Sequence, residues 1–448
     1  MDATRPAVEP ASLTSLSDDP LGTLALVLRD IRTHGPRSRS ELVSRTGLTR
    51  AIVAQRVSEL LQIGLVTEGE VGPSTGGRPP RRVVFRADAG HVLVADLGAT
   101  SIDVAVTDLE GRILAHRDEP ADVSTGPDRC LSRIEELFEE LITTTNDLPG
   151  WLWGVGIGVP GPVEVSTGRP VSPPIMPGWD GYPVRERLTD RYGAPVWVDN
   201  DVNIIALGEW RAGIAVGHDN VVVVKIGTGI GAGIISNGRI HRGAQGGAGD
   251  VGHIQVVDGA SIVCRCGNVG CLEALAGGAA LGRDGEAAAA SGRSGRLRLA
   301  LERHGRVTAE DVAHAASFGD PVARDLLLAA GHHVGLMLAS IVNFFNPSLV
   351  VVAGGVAQSG DQLLAAIRET VVRRSLPLAT RELIVQRSSL GTLAGVIGAS
   401  TMVLDQLFAR ESLAGWFAER RPVSIAVGDR LREFPSPAAQ GRTGADAS

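Results

Sequence analysis

The sequence predicts an α/β protein whose body is two related lobes facing one cleft, preceded by a small all-α head with a wing. Three observations predict it. A strand, a small-residue turn, a second strand and a hairpin occur at Asp96-Leu97-Gly98-Ala99-Thr100-Ser101, 102–108 and Gly111-Arg112-Ile113, and again at Lys225-Ile226-Gly227-Thr228-Gly229-Ile230-Gly231, 232–236 and Gly238-Arg239-Ile240. Two such units build similar lobes with their turns aimed at a shared cleft. Charge is divided as well: residues 21–86 hold eleven Arg, no Lys and five Asp or Glu, a net of +6, so in a chain of net charge −7 the remainder carries −13. A basic head on an acidic body is the asymmetry of a protein in which one domain meets phosphate and the rest does not. Third, three of the four cysteines fall within Cys264-Arg265-Cys266-Gly267-Asn268-Val269-Gly270-Cys271, a short loop after His253.

At 448 residues, 44% hydrophobic and 21% charged, the chain can bury large cores and divides into two or three domains. The expected boundaries are a flexible tail over 1–20, the head over 21–88, a body over 89–410 and an extension over 411–448 whose end, 435–448, reads as disordered. Within the body the lobes part near 200–220, and a C-terminal helix returns to the first lobe. No uninterrupted apolar stretch reaches the roughly 18 to 20 residues a bilayer span needs. The first residues are acidic and rich in Pro and Ser, unlike a signal peptide, so the expectation is a cytoplasmic protein with no membrane partner.

In the head, Leu24, Val27, Leu28 and Ile31 mark one helix face that ends at His34-Gly35-Pro36. Ser38 and Glu41 make a capping box for a second helix, which stops near Gly47. Thr49 caps a third, with Val53, Val57, Leu60 and Leu61 inward and Gly64 at its end. Joined by Thr46-Gly47-Leu48, the last two form a helix-turn-helix with the third helix as reader. Arg50, Ala51, Ala54 and Gln55 lie off its core face, and with Thr49 and Arg56 they are the candidate DNA-reading set. Strands over 65–68 and 82–86 flank a wing, 69–81, whose Gly77, Arg78 and Arg81 are shaped to follow a DNA backbone or enter a narrow minor groove. The implied partner is double-stranded operator DNA; the competing reading is a three-helix protein-interaction module.

In the body, a helix over 128–142 holds Cys130 as a small core residue. Gly-rich turns after strands offer N–H groups to phosphate oxygens, although glycine also serves ordinary turns. Gly154-Val155-Gly156-Ile157-Gly158-Val159-Pro160-Gly161-Pro162 ends a buried strand in a loop able to approach a ligand closely. Val198-Asp199-Asn200-Asp201-Val202-Asn203 then runs into a helix over 204–210. Carboxylates and amides at that junction suit a polyol, and an Asp there can act as a general base toward one hydroxyl. Helix capping by Asn200 or Asp201 is the plainer alternative. His253, Cys264, Cys266 and Cys271 suit one tetrahedral structural zinc, with glycines permitting the tight turns between them. In a reducing compartment thiols persist, which favours metal over disulfides.

The stretch 154–162, Asn200-Asp201-x-Asn203 with Gly208-Glu209, Gly227-Thr228-Gly229-Ile230-Gly231, Gly249-Asp250-Val251-Gly252-His253, the cysteine cluster with Leu272-Glu273, and Asn346-Pro347 leading to Gly354-Gly355 resemble the ROK family of sugar kinases and sugar-responsive repressors, over about 91–407. The head resembles the winged helix-turn-helix of the family's repressors. The resemblance implies an actin-like (ribonuclease H-like) two-lobed ATPase fold. It implies that Asn200, Asp201, Asp250, His253 and Glu273 contact a sugar, that Asp201 is the base if a kinase is active, and that His253 and the three cysteines hold zinc. Asp96, Gly98, Thr100, Gly227, Thr228, Gly229, Gly231, Gly354 and Gly355 correspond to its nucleotide turns. The family's kinases read Asp-x-Gly-Gly-Thr-Lys at the first turn; here Ala99 and Ser101 add a Cβ and remove a cation, so ATP binding is expected to be weak. Asp250 replaces the family's usual Glu and shortens one sugar contact by a methylene. The expectation is a sugar-responsive repressor of carbohydrate-use genes, binding a two-fold operator as a homodimer or homotetramer, with a monosaccharide or sugar phosphate as effector. The alternatives are an ATP-dependent sugar kinase with an appended head, and a constitutive DNA-binding head on a body used only for assembly.

Overall fold

The computed structural model describes residues 19–71, 81–145, 148, 150–258, 261–358 and 360–413. The expected tail up to 18, the wing tip with Gly77 and Arg78, and the extension from 414 onward lie outside the described residues.

Helices Pro20–His34, Arg39–Thr46 and Arg50–Gln62 bury Leu24, Val27, Leu28, Ile31, Leu42, Val53, Val57 and Leu60 against one another. Both bonds of the Ser38–Glu41 capping box are present, Gly47 ends that helix in the left-handed region, and Thr49 accepts from the Ile52 amide. Three antiparallel strands close the head: β1 (Arg37–Ser38), β2 (Val66–Val71) and β3 (Arg81–Phe85), in the order β1-β3-β2. The flanking strands of the wing were legible from composition. The two-residue β1 was not, because its pairing is decided only once β3 is beside it.

The first lobe holds β4 (Gly90–Leu97), β5 (Ser101–Asp108), β6 (Ile113–Pro120), β7 (Trp151–Val159), a short hairpin of β8 (Val163–Glu164) and β9 (Arg169–Pro170), and β10 (Val196–Asn200). The second holds β11 (Val221–Ile226), β12 (Ile230–Ser236), β13 (Arg239–Ile240), β14 (Leu349–Ala353) and β15 (Ile384–Arg387). The first sheet runs β10-β7-β4-β5-β6 and the second β15-β14-β11-β12-β13, with the first three strands of each parallel and the last two antiparallel to their neighbours. The echo in the sequence therefore extends to five matching strands per lobe. Val221–Val224 and the whole of β14 are apolar because helices or the other lobe cover both faces.

Helices Pro127–Thr144 and Val184–Tyr192 cover one face of the first sheet, enclosing Cys130 as expected. The helix Asp201–Ala212 lies between the lobes and packs on strands of both sheets. Leu393–Leu407 packs along it and onto β4, β5 and β7. These two helices touch backbone to backbone. A Cβ on Gly208 would come within 2.0 Å of the Ala394 carbonyl oxygen, and one on Gly398 within 1.5 Å of the Ile204 oxygen. Only glycine fits at either place.

The head is not an independent bead. Its apolar residues are continuous with those of the first lobe: Phe85 meets Phe408 edge to face at 5.8 Å between centroids, and the Arg32 guanidinium lies 4.3 Å over the Phe408 ring. One described helix, Pro321–Phe345, is long and apolar enough by itself to cross a membrane, but half of its most apolar window is buried. It packs against helices Ala309–Ser317 and Asp361–Arg374, which accounts for its composition.

Gly398→Ala is expected to destabilise the chain by about 1–3 kcal/mol or more, as overpacking does. Chemical denaturation checks this, and a midpoint equal to the parent's contradicts the close helix contact.

Candidate functional site

The turns of both lobes meet around a cavity of about 760 Å³. Its walls include Gly98, Thr100, Gly227, Thr228, Gly229, Gly231 and Gly355 of the turns together with Asn200, Asp201, Asp250, His253 and Glu273. Two expected members stand behind the wall. Asp96 is buried, and Gly354, at φ +94°, is pressed so close to β11 that a Cβ would meet the Ile226 oxygen at 2.4 Å.

The junction 199–203 is built on Asp199, whose carboxylate is almost wholly buried. Its Oδ1 accepts from the Asn200 amide and from Asn203 Nδ2, each at 2.8 Å, and its Oδ2 accepts from Arg242 Nε at 2.7 Å. The helix accordingly begins at Asp201 rather than 204. Asn200 caps it: Oδ1 accepts from the Val202 amide at 2.9 Å and Nδ2 donates to the Gly161 carbonyl at 2.8 Å. Capping thus takes the carbonyl oxygen and one amide proton of Asn200, leaving one N–H for a ligand. At the other end of the helix, buried Glu209 accepts from Ser388 Oγ and the Ile214 amide, tying the helix to the segment before Leu393–Leu407.

His253, Cys264, Cys266 and Cys271 bring their ligand atoms within 4.8 Å of one another. Cys264 Sγ is 3.5 Å from His253 Nδ1, and Cys266 Sγ is 3.8 Å from Cys271 Sγ. In a tetrahedral site with metal–sulfur bonds of about 2.3 Å and metal–nitrogen bonds of about 2.0 Å, ligand atoms stand roughly 3.5–3.8 Å apart, so these residues fit a metal ion. Gly267 and Gly270 take positive φ, as the tight turn requires, and Cys271 is the residue from which the short helix Leu272–Ala276 starts. That helix carries Glu273, whose Oε2 accepts from the Ile230 amide at 3.2 Å. The His253 ring turns Nδ1 to the cysteines, and its Nε2 is 3.8 Å from Asp250 Oδ1. Asp250, His253 and Glu273 therefore hang on one cluster.

Sequence reasoning missed Lys225. It ends the valine run of β11, and its Nζ donates to Asp201 Oδ2 at 2.6 Å, with its side chain only 21% exposed. Burial lowers its pKa, but Asp201 and Asp96 more than offset that and hold the amine above the ordinary lysine value. Burial pushes Asp96 up to about 7; Lys225 pulls it down, while Asp201 and Asp103 push it up. Asp96 Oδ1 has no hydrogen-bond partner. A charged residue closing an otherwise all-apolar strand was the available signal.

On the head, Thr49, Arg50, Ala51, Ala54, Gln55 and Arg81 are exposed. Arg56 corrects the expectation: it is buried beside Val53 and Val57, with Nη1 on Glu59 Oε2 at 2.5 Å, so its guanidinium is not offered to a groove. Its position one turn before Leu60 puts it at the edge of the core face. Arg81 and Arg39 share the Glu68 carboxylate.

The profile described as ROK family matches residues 92–406. The chain belongs to the ROK family. It is 30% identical over 380 residues to the xylose repressor of Bacillus subtilis, covering 85% of this chain and 94% of that one. That share exceeds what residues 92–448 amount to, so the likeness runs into the head. It is 32% identical over 311 residues to the glucokinase of Halalkalibacterium halodurans, covering 69% of this chain and 94% of that one. A solved ROK family transcriptional regulator, a homologue of the Escherichia coli MLC protein, superposes with a TM-score of 0.75 at 27% identity, covering 89% of this ROK protein and 99% of the other. The actin-like two-lobed ROK fold preceded by a helical head is thus established for this chain.

Asp96 gives the site a pH signature. Between about 3.8 and 7 the folded chain holds a proton that the unfolded chain has released, so this residue's contribution to stability falls as pH rises through that window. Asp96→Asn is expected to raise the melting temperature at pH 8 more than at pH 5; an equal effect at both contradicts the raised pKa.

Proposed function

We propose that this ROK protein is a sugar-responsive transcriptional repressor of carbohydrate-use genes, its head binding operator DNA and its cleft binding a monosaccharide or sugar phosphate. The observation that carries the reading is the continuity of head and cleft. The helix that presents Asp201 to the cleft ends at Ala212, and its last-turn Arg211 lines, with Arg32 of the head, Glu110 and Asp405, a cavity of about 430 Å³. Displacing one end of that helix moves the charges against which the head is seated. The likeness to a xylose repressor across both parts favours a repressor over a free-standing kinase.

In this reading Asp201, Asp250, Glu273 and the remaining N–H of Asn200 bind sugar hydroxyls, and His253 faces the sugar through Nε2. The cluster's metal is zinc, the divalent ion best suited to three thiolates and an imidazole. Bound there, zinc fixes the tautomer and direction of the His253 ring and anchors the Glu273 helix. The protein acts in the cytoplasm as a dimer or a pair of dimers on a two-fold operator, the head ending near residue 88. A sugar shifts DNA affinity only by its difference in affinity for the two arrangements of the lobes, commonly about 1–3 kcal/mol.

A thermal-shift panel of sugars and sugar phosphates, followed by operator titration with the responding ligand, tests this. The expected result is a ligand that raises the melting temperature and weakens operator binding, with Asp201→Asn removing the response but not DNA binding; no response from any sugar contradicts it. Cys264→Ser or Cys266→Ser is expected to weaken the sugar response about 10- to 100-fold, as loss of ligand orientation does, while the head still binds DNA. Simultaneous loss of both activities with global unfolding makes the cluster a staple of the fold alone.

A further inference from the structure

The chain has 42 Arg and one Lys, and the lysine is Lys225. Every other basic side chain is arginine, including Arg283 and Arg306, which also line the cleft, and lysine stands at the position that is ion-paired with Asp201. The geometry explains the choice. Nζ reaches Asp201 Oδ2 from near the end of a strand where its neighbours in register are Gly231 and Ala353, and a compact ammonium on a flexible stem needs less room there than a planar guanidinium.

The carboxylates around it outnumber it. Nζ is on Asp201 Oδ2 at 2.6 Å, Asp96 and Asp103 add their fields, and Asp96 is buried with one oxygen unpartnered. A Cβ on Gly395 would meet Asp96 Oδ2 at 1.9 Å, so that carboxylate is wedged at the first turn of Leu393–Leu407 and cannot turn to solvent. Two acidic groups converging beside two glycine turns are the donor set that ordinarily takes a hard divalent cation, the ion through which a nucleotide's phosphates are held.

We propose that Lys225 is a built-in counter-ion that takes the place of such a divalent cation. It balances the charge of Asp201 beside the buried Asp96 and engages Asp201 Oδ2 as the acceptor of its own hydrogen bond. The residue is thus a positioning residue that makes the cleft a receptor and not a metal-dependent transferase. The inference rests on the reading that Asp201 faces the effector, and adds to it why the carboxylate can be retained without phosphoryl transfer. An ammonium already on Asp201 Oδ2 occupies the oxygen to which a hydroxyl proton would go. It also fills the charge deficit that would otherwise draw in a metal.

The test uses the full chain as parent, Lys225→Met, Lys225→Arg and Lys225→Met/Asp201→Asn, melted with and without millimolar Mg²⁺. The parent and Lys225→Arg are expected to be indifferent to Mg²⁺. Lys225→Met is expected to melt lower without Mg²⁺, to recover with it, and to bind it about tenfold or more tighter than the parent, a factor equivalent to 1.4 kcal/mol; the double variant loses that recovery. A Lys225→Met variant that is as stable as the parent, or blind to Mg²⁺, overturns the proposal. Should Lys225→Met not fold, the single lysine supplies a second measurement. Reductive methylation of Nζ is expected to be slow in the parent and about tenfold or more faster in Asp201→Asn, whereas equal rates overturn the ion pair. None of these readouts needs sugar or DNA, so they can succeed where the sensor reading fails. A sensor whose sugar response survives intact in a Lys225→Met variant of unchanged stability removes this inference alone.

Discussion

The packing of helix Asp201–Ala212 against helix Leu393–Leu407 is the constraint on which the rest of the structure depends. Gly208 and Gly398 let the two backbones touch, Gly395 leaves room for the Asp96 carboxylate, and Glu209 ties the first helix to the loop that leads into the second. At one end the pair sets the direction of Asp201 in the cleft. At the other it carries Arg211 and Asp405, against which Arg32 of the head is placed. Burial pulls the Arg32 guanidinium down to about 10 and pushes the Asp405 carboxyl up, so both charges are held under tension that a small helix shift would change. Packed interfaces of this kind switch between discrete arrangements rather than deform continuously.

Around that axis the cleft is assembled from two separately anchored groups. Asp199 fixes one through the Asn200 and Asn203 side of the helix start and, through Arg242, holds the loop from the second lobe close to it. The cysteine cluster fixes the other by joining the His253 turn to the start of the Glu273 helix. The cluster is therefore more than a clip on a loop: the residues it directs, His253 and Glu273, line the cleft in which we propose that a sugar binds. Gly229 shows how tightly the two groups meet, since a Cβ there would strike Glu273 Oε2 at 2.2 Å.

Much of this was legible from residue pattern. The repeated strand-turn-strand units predicted two lobes, the capping box and Gly47 placed the helices of the head, and the spacing of three cysteines and a histidine predicted a metal cluster. Tertiary pairing hid the rest. β1 has two residues and no pattern of its own, the matching of β7 to β14 and β10 to β15 lies in topology and not in sequence likeness, and the burial of Arg56 depends on Glu59 one turn away. Lys225 was visible as a charge ending a valine strand. Its meaning required knowing that β11 points that residue at Asp201, 24 positions earlier in the chain.

The central claim is that occupancy of the cleft is felt in the head through the helix pair. Hydrogen exchange of the full chain, with and without a stabilising sugar, tests it most directly because each helix reports separately. The account predicts altered protection in Asp201–Ala212, in Leu393–Leu407 and in the head helix Pro20–His34 together. Altered protection confined to the turns around the cleft, with Pro20–His34 unchanged, would contradict it.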